Sequence, residues 1–204
     1  MYLNFMKAQS SVLPVVVGIL VVILAVAVGV YVYNQYTMLS SPSGGNNVST
    51  STGPSKITLP YSNSNKTVFL TIVTESSSNV NQFNFNGTSS GSLVIYIPAG
   101  STIVVKFINQ ESLPHNLILL QNSTPTPQSP QITSDGKIID LVGASISNYD
   151  VNGISGGASA EGVWGPISAG YYMLVCGITG HAASGMWAVV VVSDNVTAPY
   201  AIVQ

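Results

Sequence analysis

Charge is what this chain has least of. Five Lys and Arg and seven Asp and Glu occur among 204 residues, a charged fraction of 6% and a formal net charge of −2. So few cations provide no basic groove to track a phosphate backbone, which excludes nucleic-acid binding. One Cys excludes an internal disulfide, even in a compartment that would permit one. Two His cannot supply the several His-x-His pairs of a clustered oxidase site, so a redox enzyme of that class is excluded. No strongly amphipathic helix is evident either, and no motif points to a small-molecule substrate.

What replaces charge is neutral polarity. Ser, Thr and Asn are abundant, and solubility rests on them. At strongly acidic pH the few carboxylates protonate, leaving little charge to lose or repel, which leads us to expect a chain adapted to an acidic exterior. A low-charge surface equally suits dense glycosylation. Asn47, Asn65, Asn86, Asn122 and Asn195 all stand in N-x-S/T sequons, meaningful if the domain is external.

The mean hydropathy of +0.42 exceeds that of an ordinary soluble domain, and the excess sits near the N-terminus. Val12 to Tyr33 runs without a charge, long enough to cross the roughly 30 Å hydrocarbon core as a transmembrane helix. Tyr31, Tyr33 and Tyr36 suit an interfacial belt. Lys7, the only charge before the run, favours a single-pass orientation with the C-terminal part extracellular. Ala25-Val26-Ala27 has the small-x-small form of a cleavage site, but a signal-peptide core is about 7–15 apolar residues. We therefore expect an uncleaved anchor. The segment Ser40 to Ser55, made of Ser, Gly, Asn, Thr and Pro, suits a flexible tether with a reach of roughly 20–24 Å. The expected organisation is a membrane anchor over residues 1–39, a linker over 40–55 and a folded domain over 56–204.

That domain reads as all-β. Thr67 to Val73, Ser92 to Ile97, Thr102 to Asn109, His115 to Gln121, Ile138 to Val142, Tyr171 to Cys176 and Met186 to Ser193 are rich in Val, Ile, Thr and aromatics. Pro98-Ala99-Gly100 and Ser168-Ala169-Gly170 separate runs as tight turns do. Seven such runs in a domain of this size suggest a Greek-key β-sandwich. The Pro-, Gly- and Ser-rich stretch between His115 and Cys176, opened by Ser123 to Pro130 and continued through Gly153 to Gly162, is expected to form loops with one short helical turn. It is long enough to shield one flank of the segment after Cys176.

That segment carries the chemistry. Cys176, His181 and Met186 follow one another as C-x4-H-x4-M, and Pro114-His115-Asn116 opens an apolar run far upstream. The chain's one Cys and both His thus fall in one proposed site. Two imidazoles and a soft thiolate in a near-trigonal plane, with a weak axial thioether, form the ligand set of a blue-copper centre. His115, Cys176, His181 and Met186 are the candidate ligands of one type 1 copper ion cycling between Cu2+ and Cu+. Cys, His and Met also suit Cu(I) transfer, so copper delivery is the alternative. It is disfavoured because no Met-rich exchange motif exists. A binuclear copper centre would need a second Cys in the loop. A structural zinc domain is a weaker third possibility. Ala182, Ala183 and Trp187 are placed to make the metal's rim apolar.

Phe83 to Thr88, Ile97 to Gly100, Phe107 to Asn116 and Val175 to Trp187 together resemble the sulfocyanin family, membrane-associated blue-copper proteins of thermoacidophilic archaea. The ligand-loop spacing is also similar to that of rusticyanin. The resemblance spans anchor, tether and domain. It implies a cupredoxin-like sandwich, one type 1 copper on His115, Cys176, His181 and Met186, and no enzymatic activity. It also implies electron delivery in a respiratory chain to a terminal oxidase complex at the outer face, from a cytochrome or Rieske-type donor. Asn116 is similar in position to the Asn that links loops in many cupredoxins.

Overall fold

The computed structural model describes residues 56–77 and 80–204; the anchor expected over Val12 to Tyr33 lies outside them. Eleven strands are described: β1 (Lys56–Thr58), β2 (Tyr61–Ser62), β3 (Thr67–Thr74), β4 (Leu93–Pro98), β5 (Ser101–Asn109), β6 (Leu117–Asn122), β7 (Gly136–Val142), β8 (Ser159–Ile167), β9 (Gly170–Val175), β10 (Trp187–Ser193) and β11 (Tyr200–Val203). They form a seven-stranded sheet in the order β1-β11-β4-β10-β9-β6-β7 and a four-stranded sheet in the order β2-β3-β5-β8. This is an all-β, cupredoxin-like sandwich. Among the described residues no helix is long and apolar enough to cross a membrane.

Alternation builds the main core. In β5, Ser101, Ile103, Val105, Phe107 and Asn109 are buried while their neighbours are not, and β3 and β10 alternate likewise. These inward positions interleave between the sheets, with Phe85 meeting Phe107 edge to face at 6.3 Å, a geometry favourable to aromatic pairs.

β6 breaks the alternation, because Leu117 to Leu120 are all buried. Leu117 and Leu119 face the main core, while Ile118 and Leu120 join Ile132, Met173, Val175 and Ala182 in a second, smaller one. That second core exists because the Pro-rich excursion after β6 folds back over the sheet. The buried Asp135 pins it: the carboxylate accepts from the amides of Gln128 and Ser129, both at 3.1 Å, and the backbone carbonyl accepts from Ser123 and Thr124. A 3-10 turn at Ile132–Ser134 carries Ile132 into place, the short helical turn expected there.

All seven expected strands are present, with ends shifted by a residue or two. β8 was not expected. It lies partly in the Gly-, Ser- and Ala-rich stretch read as loop, and as an outer strand it pairs only with β5. Gly162, Gly165 and Pro166 hid it, since an edge strand tolerates residues that a central strand excludes. The brief β1, β2 and β11 were missed as well. Of the sequons, Asn47 lies outside the described residues, whereas Asn65 and Asn195 are exposed. The Asn86 side chain binds the Val73 amide and the Thr71 carbonyl, and Asn122 Oδ1 is buried.

Truncating Phe107 to Ala removes a fully buried ring from the centre of the main core and is expected to lower stability by about 3–5 kcal/mol. Val163→Ala, on the solvent face of β8, is expected to change it by under about 0.5 kcal/mol. Urea unfolding of the two variants checks the contrast.

Candidate metal centre

His115 stands just before β6, where a two-way backbone bridge to Ile154 fixes it: its amide donates to the Ile154 carbonyl at 3.2 Å and its carbonyl accepts from Ile154 at 2.8 Å. The incoming loop presses flat against the histidine backbone because residue 153 is Gly; a Cβ there would lie 2.5 Å from the His115 carbonyl carbon and oxygen. Cys176 follows the last residue of β9, and its amide donates to the Met186 carbonyl at 3.1 Å. The intervening loop is tightly wound: the His181 amide donates to Ile178, and the Met186 amide to His181, both at 3.0 Å. Cys, His and Met are therefore held by backbone geometry before any metal is considered.

Asn116 joins the two halves. Its Oδ1 accepts from the Gly177 amide at 2.7 Å, and its Nδ2 donates to the carbonyls of Tyr149 and Asn152, each at 2.7 Å. One buried amide thus ties the His115 segment, the Cys176 loop and the 143–158 loop. Gly177 is required at this junction, since a Cβ would meet Ile118 at 2.4 Å and Tyr149 at 2.7 Å. The flank expected from the long excursion is also present, as the Pro130 carbonyl accepts from Gly180 at 2.9 Å and the Asp150 carbonyl accepts from Thr179 at 2.9 Å.

The donors converge. Nδ1 of His115 lies 3.8 Å from the Cys176 sulfur and Nδ1 of His181 lies 3.4 Å from it, and the three ligand atoms are within 4.8 Å of one another. A metal bound at about 2.0–2.1 Å to nitrogen and about 2.3 Å to sulfur, at near-trigonal angles, sets those atoms roughly 3.6–3.8 Å apart. The residues fit the ion. Met186 is fully buried and shares the main core with Cys176. His115 and Cys176 have no exposed surface, whereas His181 is half-buried, with the Phe83 ring 4.8 Å from its own. Phe83 is a neighbour of the site that ligand spacing could not reveal. Ala182 and Trp187 pack into the second core while Ala183 is exposed, so only part of the anticipated apolar rim faces outward.

Burial sets the protonation chemistry. Desolvation, reinforced by His181, pushes the His115 imidazole down to about 4, and desolvation lowers His181 as well. Burial pushes the Cys176 thiol up to about 11, against the opposing pull of the Asn116 and Ile178 backbone amides on the sulfur. Burial thus favours the neutral, lone-pair-bearing form of both imidazoles, and the thiol is the donor that must lose a proton to bind metal. Nε2 of His115 is buried with no partner among the described residues, where ligating imidazoles commonly donate to an acceptor.

Residues 54–203 match the family model described as the sulfocyanin (SoxE) domain, and residues 6–55 match the model for the sulfocyanin N-terminal region. The chain is 86% identical over 199 residues to sulfocyanin of Sulfolobus acidocaldarius, covering 98% of this chain and all of that one. It is 36% identical over 97 residues to rusticyanin of Acidithiobacillus ferrooxidans, covering 47% of this chain and 57% of that protein. Among solved structures it is similar to reduced rusticyanin, with 24% identity, a TM-score of 0.47 and coverage of 63% of this chain and 80% of that one.

Two outcomes are expected of the metal-free protein. Between pH 6.5 and about 4 the unfolded chain takes up a proton that native His115 refuses. Stability therefore falls with falling pH across that window, by up to about 1.4 kcal/mol per pH unit for that group, as urea titrations at stepped pH would measure. Replacing Asn116 with Ala orphans the buried Gly177 amide and is expected to lower stability by about 1–3 kcal/mol. It should also weaken metal retention, measurable by competition with a chelator.

Proposed function

The chain belongs to the sulfocyanin family, and from that premise we propose that it is a membrane-anchored blue-copper protein carrying single electrons. Type 1 copper is held by Nδ1 of His115, Nδ1 of His181, the Cys176 thiolate and, more weakly, the Met186 thioether. One observation carries this reading: two imidazole nitrogens and the chain's only thiol sulfur lie within 4.8 Å of one another in the β-sandwich domain.

Copper, when bound, supplies a one-electron couple between Cu(II) and Cu(I). The protein's part is to hold the donors still. The Ile154 bridge fixes His115, Asn116 ties its segment to the Cys176 loop, and the loop's own amides fix His181 and Met186. A pocket with so little freedom suits an ion whose two oxidation states must share one geometry. His181, the less buried imidazole, is the electron port, and Phe83 beside it adds an apolar edge where a partner docks. Copper delivery favours exposed, exchangeable donors, and the burial of Cys176 and His115 argues against it.

In this reading Val12 to Tyr33 is a single transmembrane helix over an anchor spanning 1–39, residues 40–55 are a tether, and the cupredoxin domain of 56–204 faces the outside. Support comes from the uncharged run and the lone Lys7 before it, within the stretch matched by the N-terminal family model. The electron acceptor is a terminal oxidase complex at the acidic outer face of an archaeal membrane, and the donor is a cytochrome or Rieske-type protein. Acid suits the domain because few surface charges exist to titrate, and burial shifts both imidazoles toward their neutral form.

The copper-loaded full chain is expected to absorb intensely in the orange-red, to bleach with ascorbate, and to lose the band in Cys176→Ser. A colourless copper or zinc protein would reject the carrier role. Met186→Leu is expected to keep the colour and raise the reduction potential, read by spectroelectrochemical titration. With so few charges to steer it, electron exchange with a redox partner should change little with added salt, as stopped-flow rates would record.

A further inference from the structure

The outer face of the seven-stranded sheet carries a row of aromatic side chains that the metal site does not use. Tyr200 on β11 pairs with Tyr96 on β4, Tyr96 with Val191 on β10, and Val191 with Tyr171 on β9. Directly paired residues share a face, and the alternate positions Ala201, Ile95, Val190 and Tyr172 belong to the main core. The row therefore points away from the core. The Tyr96 and Tyr200 rings stack at 4.6 Å and 13°, and Lys56 Nζ sits 3.9 Å over the Tyr200 ring. A second row, Ile202, Val94 and Val189, runs beside it, with Val94 buried between its neighbours and the other two half-buried. No outward position on β1, β11, β4, β10 or β9 is acidic. The outer faces of sandwich strands are ordinarily polar; the opposite sheet sets Thr71, Lys106 and Glu161 side by side there, Lys106 Nζ 3.1 Å from Glu161, next to the apolar pair Val104 and Val163.

We propose that this tyrosine face rests on the headgroup region of the lipid bilayer to which the chain is anchored, orienting the metal end of the domain. Tyrosine combines an apolar ring with a polar tip, which suits it to the boundary between hydrocarbon and water, and Lys shares that habit. Where the chain enters the domain supports lipid over other occupants. The expected linker ends at Ser55, and the next residue, Lys56, lies on the edge strand of this same sheet, over the first tyrosine of the row. A flexible linker of about sixteen residues has a root-mean-square reach of roughly 20–24 Å, and a tether of that kind gives effective concentrations of the millimolar order. A contact too weak to hold a free protein is then sufficient. The inference rests on the anchor reading above.

The test uses the full chain, reduced and copper-loaded so that it is diamagnetic, in phosphatidylcholine nanodiscs with and without nitroxide-headgroup lipid. Relaxation enhancement falls steeply with distance. It is expected to be severalfold greater at the amides of Tyr96, Tyr171, Val191 and Tyr200 than at Val104 and Val163 on the opposite sheet. Tyr171→Ser and Val191→Ser are each expected to shrink the contrast while the chain still copurifies with the discs; Tyr171 is 70% exposed, so its loss leaves the fold intact. Equal enhancement on both sheets, or a maximum elsewhere, overturns the lipid-facing role and leaves the anchor standing. A chain that does not copurify with the discs overturns the anchor and this inference together. Self-association through the row in lipid-free detergent, with no enhancement in discs, assigns the face to a second copy and overturns it as well.

Discussion

The Asn116 carboxamide is the contact on which the metal end of the molecule depends. His115 and Cys176 come from segments sixty-one residues apart in sequence, and a trigonal donor set tolerates little error in their spacing. One side chain with an acceptor and two donor hydrogens serves three backbone partners, on the Cys176 loop at one end and on the 143–158 loop at the other. A buried amide left half-satisfied would be costly, so the arrangement tends to form as a whole or not at all. The 143–158 loop in turn reaches His115 through Ile154 and the copper loop through Asp150. The donors are thus positioned by a closed circuit of hydrogen bonds that includes no ligand side chain.

Around that circuit the protein excludes water, and the same burial has two effects of opposite sense. It lowers the imidazoles, which helps them stay available as ligands in acid, and it raises the thiol, which opposes thiolate formation. Desolvation penalises charge of either sign. A neutral imidazole escapes the penalty, whereas a bare thiolate does not, and a bound cation is what reverses the balance for sulfur. The site suits an occupied state more than an empty one.

The second core explains why so long an excursion follows β6. β6 is covered on both faces, and the cover on its outer face is the loop pinned by Asp135, whose Pro130 carbonyl also holds Gly180. Packing over β6 and support of the ligand loop are accomplished by one segment. On the rest of that outer face, from β11 to β9, lie Tyr200, Tyr96 and Tyr171; the Tyr96 and Tyr200 rings stack on each other, and Tyr171 is exposed.

Much of this was legible in the residues. Runs rich in Val, Ile, Thr and aromatics, split by turn residues, revealed the central strands, because β-branched and aromatic side chains suit a pleated, buried surface. The donor set was legible because copper chemistry restricts the residue types, and a chain with one Cys and two His offers few other choices. The position of Asn116 next to His115 hinted at a loop link. β8 was not legible, since an outer strand can include Gly and Pro, and neither was Phe83 as a neighbour of His181. The sequence by itself determined which atoms could bind a metal and which runs had to form strands, for these follow from side-chain chemistry and local composition. Only the tertiary structure decided that His115 meets Cys176 across Asn116, that Pro130 and Asp150 hold the ligand loop, and that three tyrosines from three strands form one row. Those depend on strand register and loop return, which arise from contacts between distant residues and leave no local trace.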